Sequence, residues 1–575
     1  MIGSPMDRTP IPERVTPNEV AVMRYACLVA ALFALALPCR SQDLTTEAGF
    51  KQLLSQKLHA AGDLHQKGEY EQAIEVYDML IALPGMCAYP SARASIYYNL
   101  ACAHSLMGRK REALANLGLA VEAGFSDLEL MVKDPDLENL HEEPRYEELV
   151  AVARAKGNFW TGPSLATDYS DTINVDGRAA GLARLWSEIK YNFAFFHQVP
   201  DLDWDSLFVA YLPRVMKTQS TLEYYRTLGE MCAHLKDGHT NVTPPRELWD
   251  SLWAKPPIRT RLIEDRVLIV DVFDESLEAD GVVPGVEVLR IDGIPAGRYA
   301  EERVMPYQCA SSPQGLTERT YNYSLLSGSV ETRVKLTLEN DAGQVYTRSL
   351  ARTRRQQSRP TLETHMLEGD LAYVALNSFG AEEVVSQFDS VFGSIETAAG
   401  LVIDLRENQG GNSGFGYQIL ARLTAQPFTT TAWRTRQYSP TFRAWGMAPA
   451  WYRSTGSTYQ PGGGEPYAGP VAVLIGAQTA SAAEDFCVAF DTMDRGVMIG
   501  EPTYGSTGQP LVFGLPGGGF AQVCTKHDTY PDGREFVGIG VLPDILISPT
   551  ADDVRSGRDP VLEAAVTHLR AETDE

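Results

Sequence analysis

Between residues 50 and 125 apolar positions recur at three- and four-residue intervals, which predicts helices burying one face. Two stretches are alike: AAGDLHQKGEYEQAIEVYDMLIALP (Ala60–Pro84) and IYYNLACAHSLMGRKREALANLGLAVEAG (Ile96–Gly124). Superposed, Gly68 falls on Gly108 and Ala73 on Ala113. In each, a glycine ends one helix and a small alanine lets the next pack close, so repeated helical hairpins are expected. The stretch DPDLENLHEEPRYEELVAVARA reads as a capping helical segment. After the linker GPSLATDYSD the helical period returns over 178–236 and ends in the loop LKDGHTNVTPP. Over 256–352 the pattern shortens to strand-like runs, RVLIVDVF, GVEVLRID and TRVKLTLEN, bounded by Gly, Asp and Asn. From 366 onward, strands and helices alternate. AGLVIDL and PVAVLIG are nearly continuous apolar runs, as in strands buried on both faces. That alternation predicts a layered α/β domain.

Composition narrows the class. A formal charge of -24 argues against nucleic acid as a partner, because phosphate binding needs clustered Lys and Arg. Eight cysteines form no CxxC pair, which leaves no zinc-ribbon or thioredoxin motif. The histidines show no HExxH, and the Gly-rich PGGGE and LPGGGF lack the lysine of a phosphate loop. No metal and no cofactor is therefore expected. The N-terminal RYACLVAALFALALPCRSQ places a basic residue before an apolar run and small residues after it, the layout of a secretory signal. The run is short for a membrane span, which needs about 20 residues. Export to the periplasm or medium follows, with cleavage after Ser41; an uncleaved membrane anchor is the alternative.

Three loops offer chemistry. In IDLRENQGGN a buried strand ends at Gly410 and Gly411, where backbone N–H groups can face a substrate. In VLIGAQTASAAEDFCVAF, Ser481 opens a helix. Ser481 and Glu484 satisfy the S-x-x-E capping box, which accounts for both without catalysis. The same place would stabilise a developing oxyanion through free N–H groups and the helix dipole. In LKDGHTNV, His239 is either a structural histidine or a general base.

Taken together, the chain from about 178 to 570 resembles the S41 serine peptidases, the tail-specific or C-terminal processing family with its tricorn-like branch. The resemblance rests on the order of LWSEIKYNF, DWDSL, KDGHT, GVVPGVEVLRIDGIPA, DLRENQGG, TASAAE, GEPTYGSTGQ and GIGVLPDI. It implies a multidomain α/β protein: a signal peptide over 1–41, tetratricopeptide-like repeats over 42–160 and a helical lead-in over 172–245. A small β-rich PDZ-like domain over 250–355 and a ClpP/crotonase-like α/β core over 360–570 complete it. The implied reaction is peptide-bond hydrolysis through an acyl-enzyme on Ser481. Ala482 and one of Gly410 or Gly411 would supply the oxyanion hole. The lysine base of many members falls at Ser506 here, so that dyad is absent. The tricorn-like branch instead uses a histidine at His239, preceded by a serine where this chain has Gly238. The branch's assisting glutamate falls near Val537. The acids left to orient His239 are Glu535, Glu484 and Asp237, in that order, with Lys526 and His527 as rival bases. The expected partners are polypeptide substrates held by their C-terminal tails, and a protein on the repeats. A catalytically silent peptide- or ligand-binding protein is the alternative that the missing lysine keeps open.

Overall fold

The computed structural model describes residues 47–354, 359–461 and 464–573; the expected signal segment at 1–41 lies outside the described residues. The chain divides into two compact units between Trp160 and Thr161.

The first unit is helical. Glu47–Gln66 and Tyr70–Ile81 form one hairpin, Pro90–Leu106 and Lys110–Ala123 a second. Gly68 and Gly108 occupy the same left-handed position between helices, with φ of 77° and 72°. Their N–H groups close the preceding helices on His65 and Ser105, and the next residues donate to Leu64 and His104, the paired bonds of a glycine C-cap. Ala73 and Ala113 are fully buried. The hairpins match because the same residue types meet the same two steric demands.

The second unit begins with three helices, Val175–Asn192, Trp204–Lys217 and Thr221–Ala233. Each has a polar N-cap (Asn174, Asp203, Ser220) accepting a backbone N–H of the first turn. Next comes an antiparallel sheet whose main strands run Ile258–Ile263, Arg266–Val272, Glu287–Ile291, Arg333–Glu339 and Val345–Ala351. Asp292 and Gly293, with φ of 49° and 85°, make the tight reversal after Ile291. This sheet closes over its own core of Ile269, Val288, Ile291, Leu336 and Leu338.

The remainder is built on a six-stranded sheet: β1 Leu362–Leu367, β2 Leu371–Leu376, β3 Gly400–Asp404, β4 Val471–Ile475, β5 Val497–Gly500 and β6 Ile545–Leu546. The order is β6-β5-β4-β3-β2-β1; β2 to β6 are parallel and β1 runs antiparallel on the edge. Leu401, Ile403, Val473 and Ile475 face a core shared with Phe388, Phe392, Phe486 and Phe490. Val402, Ala472 and Leu474 face the opposite way, onto Val561, Ala565 and Leu569 of the helix Pro560–Thr573. Helices on both faces explain why β3 and β4 read as unbroken apolar runs. The six described cysteines are unpaired, and all but Cys87 are buried. Among the described residues no helix is long and apolar enough to cross a membrane.

Candidate active site

The loops after β3, β4 and β5 leave the carboxyl ends of neighbouring parallel strands, the edge at which open α/β sheets place their ligands. Ser481 ends the loop after β4 and caps the helix Ala482–Thr492. Its backbone sits at φ 56°, ψ -123°, a conformation that costs a non-glycine residue energy and is kept only where surroundings enforce it. Here they do. The Ser481 N–H lies 2.9 Å from the carbonyl oxygen of Ser506 and 3.2 Å from Oε2 of Glu484. The carbonyl oxygen of Ser481 takes the Glu484 N–H at 2.8 Å. Glu484 thus makes its half of the predicted cap, while the Ser481 hydroxyl turns to His239, whose Nε2 is 3.1 Å from Oγ.

His239 arrives from far away in sequence. The helix Thr221–Ala233 delivers the loop, and the strand Asn241–Thr243 pairs antiparallel with Phe520–Cys524. Thr240 Oγ1 accepts the Cys524 N–H at 3.0 Å, fixing the residue next to the histidine. Asp237 is buried and accepts from Thr240 (2.5 Å) and Ser311 (3.1 Å), so it holds the loop rather than the imidazole.

The other face of the imidazole corrects the expected order of acids. His239 Nδ1 lies 2.7 Å from Oγ of Ser506, the residue at the family's lysine position. With Nε2 accepting from Ser481, Nδ1 carries the proton and donates to Ser506. Glu535 is not the partner of His239: its carboxylate is 2.6 Å from Nε2 of His527. His527 is fully buried, and its Nδ1 accepts from Arg434 at 2.9 and 3.0 Å, so it is no base for Ser481. Lys526 is engaged with Asp528 at 2.9 Å. Glu484 does not reach the imidazole either. Its carboxylate gathers Thr503 Oγ1 (2.5 Å), Gly505 N–H (2.7 Å) and Ser506 N–H (2.8 Å), and so shapes the loop that presents Ser506.

Gly238 explains how Ser506 fits. A Cβ at Gly238 would lie 2.8 Å from Ser506 Oγ and 3.0 Å from Tyr504 Cε1. The chain that lacks a side chain before the histidine has the space for a hydroxyl from another loop. A neutral hydroxyl orients the ring less firmly than a carboxylate would. Ser506→Ala should therefore lower kcat/KM only about tenfold, the worth of one neutral hydrogen bond. Steady-state kinetics check this; a loss as large as that of His239→Ala would make Ser506 more than a positioning group.

The backbone donors separate the two glycines. The Gly410 N–H is taken by Oδ1 of Asn408 at 2.9 Å. Neither the Gly411 nor the Ala482 N–H has an acceptor among the described residues. Asn408, fully buried and not singled out in the sequence, ties three pieces together. Its side chain donates to Leu376 (2.8 Å) and accepts from Gly410, and its carbonyl accepts the Ala480 N–H at 3.0 Å. The only sequence signal for it is its place beside two glycines at a strand end. The β-rich segment also touches the site. Ser311 Oγ accepts the Gly238 N–H (3.0 Å), Gln314 donates to the Thr503 carbonyl oxygen (2.8 Å), and Arg319 donates to the Gly238 carbonyl oxygen (3.2 Å).

Among the groups with displaced proton affinities, His239 and Glu484 bear most directly on the site. Burial is the largest influence on His239 and holds its pKa below the ordinary 6.5, helped by Arg319 and Lys526 and opposed by Asp237 and Asp485. Burial likewise pushes Glu484 up to about 7, against the pull of its hydrogen-bond donors. A carboxyl raised from 4.5 to about 7 makes the folded chain bind more protons than the unfolded one in that window. Its contribution to stability therefore falls as pH rises from about 4.5 to about 7. Glu484→Gln should remove this slope and cost about 1–3 kcal/mol at low pH, since an amide cannot satisfy every donor. Denaturant unfolding of both proteins across that window measures it.

Residues 370–547 match the family model Peptidase family S41. A carboxyl-terminal-processing protease of Picosynechococcus sp. is 26% identical over 381 residues, covering 63% of this chain and 81% of the relative. One from Synechocystis sp. is 23% identical over 378 residues, covering 63% and 79%. Among solved structures, mature CPAF aligns with a TM-score of 0.51 at 16% identity, over 69% of this chain and 96% of that one, a likeness of fold. The matched segment holds the six-stranded sheet from β2 to β6 together with Ser481, Ser506, Gly411 and Ala482, so residues 370–547 carry a domain of peptidase family S41.

Proposed function

We propose that this S41 peptidase cuts polypeptides through an acyl-enzyme on Ser481, with His239 as general base and Ser506 as the group that orients it. The observation that carries the reading is the line Ser481 Oγ, His239 Nε2, His239 Nδ1, Ser506 Oγ, with gaps of 3.1 and 2.7 Å. In the forward step His239 takes the hydroxyl proton as Oγ bonds to the scissile carbonyl carbon. The proton then passes to the leaving amine, and water admitted by the same base releases the acid. The N–H groups of Gly411 and Ala482 are the donors available to the oxyanion.

The relatives bear the name carboxyl-terminal-processing protease, which supports chain termini as substrates. The β-rich segment over 250–355 is the PDZ-like holder of such a tail in this reading, and the helical hairpins of the first unit are tetratricopeptide-like repeats that engage a protein. The N-terminal segment directs export. A fluorophosphonate probe tests the chemistry. It should label Ser481 alone, as read by peptide mass spectrometry, and block cleavage of a disordered polypeptide. A chain that neither reacts nor cleaves is the silent binder instead.

A further inference from the structure

The hairpin 432–459 has no role in the site. Its strands Ala432–Gln437 and Ala450–Ser454 pair antiparallel, and the first also pairs with Lys526–Thr529 at the base. The tip carries a short helical turn, Pro440–Ala444. Every residue from Thr441 to Ala450 is exposed. Most of them are apolar: Phe442, Ala444, Trp445, Met447, Ala448, Pro449 and Ala450. Trp445 is 69% exposed, Met447 53% and Phe442 45%. Large apolar side chains gathered on one exposed tip mark a contact surface.

Charge says what the contact is. Between Asn408 and Gly464 there are five arginines and no Asp, Glu or Lys, in a chain of net charge -24. Only Arg422 has a carboxylate within ion-pair distance, Asp389 at 3.3 Å. Arg434, Arg436, Arg443 and Arg453 have none among the described residues. Arg434 donates to His527 and stacks on Trp451, which also receives Arg436. Arg443 reaches the hydroxyls of Tyr191 (3.1 Å) and Tyr438 (3.2 Å) and lies over the Tyr191 ring, with no carboxylate beside it among the described residues. Four guanidiniums are thus left without counter-charge behind an apolar tip.

We propose that this hairpin docks on an anionic phospholipid surface. Phe442, Trp445 and Met447 would enter the boundary between headgroups and acyl chains, while Arg443 and Arg453 meet lipid phosphates. Aromatic residues favour that interface, and basic residues beside it add attraction to anionic headgroups. The tip is a turn exposed along its whole length from Thr441 to Ala450, which suits a soft planar surface better than a peptide, whose binding pockets are concave.

The test is sedimentation of the full chain with vesicles of phosphatidylcholine alone and with phosphatidylglycerol added. The wild type should pellet with the anionic vesicles, and less so as salt rises. The triple variant Phe442→Ser, Trp445→Ser, Met447→Ser should bind about tenfold or more weakly. Its thermal midpoint should match wild type, because the replaced side chains are exposed. Brominated lipid should quench tryptophan emission in wild type and do so less in Trp445→Phe. Equal binding by wild type and triple variant overturns the proposal by placing any attachment elsewhere. So does a wild type that ignores anionic vesicles. A wild type that self-associates without lipid, and a triple variant that does not, would assign the tip to a second copy of the chain instead.

Discussion

Ser481→Ala should abolish turnover of a disordered polypeptide, and His239→Ala should lower kcat/KM by about 10²–10⁴-fold, the usual contribution of a positioned general base. The two losses should not add in the double variant, because the proposed mechanism uses hydroxyl and imidazole as one unit across their 3.1 Å contact. The pH profile sharpens the assignment. Only neutral imidazole can accept the Ser481 proton. Burial lowers the His239 pKa, so the neutral form persists to more acidic conditions than a free histidine allows. The acid limb of kcat/KM should therefore lie below 6.5, the ordinary histidine value. His239→Ala should remove that limb from whatever rate remains. If wild type and His239→Ala share one rate and one profile, His239 is not the base.

Gly411→Ala should lower kcat by about 10²–10³-fold, the cost of losing one oxyanion donor. A Cβ there would lie 2.1 Å from the Phe379 carbonyl oxygen and 2.5 Å from the Gly380 nitrogen. These are backbone atoms that cannot step aside. The residue also holds φ at 140°, which a side chain disfavours. The segment must move, and its free N–H moves with it. Stability should fall too, by about 1–3 kcal/mol as for other overpacked sites. Measuring kcat at a temperature well below unfolding separates the two effects. An unchanged kcat would leave Ala482 with a different companion donor, whereas a fall in kcat with the chain still folded assigns the role to Gly411.

Much of this molecule is legible from local pattern. The apolar runs of β3 and β4 announce strands covered on both faces, and the structure supplies helices there. Gly68 and Gly108 mark two helix ends because a left-handed residue is a local requirement. Ser481 and His239 stand in motif loops, and their side chains lie 3.1 Å apart. The acids were less legible. Glu535 lies close in sequence to the family's slot, yet it serves the buried His527. Glu484 reads as half of a helix cap and is that, and it is also the anchor of the loop bearing Ser506.

The sequence by itself determined the element types, the two-sided α/β core, the glycine turns and the place of Ser481 at a helix start. These depend on neighbours within a few positions, through backbone sterics, periodic burial and capping. The tertiary structure decided what depends on distances across the fold. Ser506 completes the line to His239 over 267 positions, and it can do so because Gly238 leaves the space for its hydroxyl. Asn408 takes the Gly410 N–H and leaves that of Gly411 open. No local pattern contains these choices: each is settled by which polar atom reaches a buried donor or acceptor first, and burial makes an unmet one expensive.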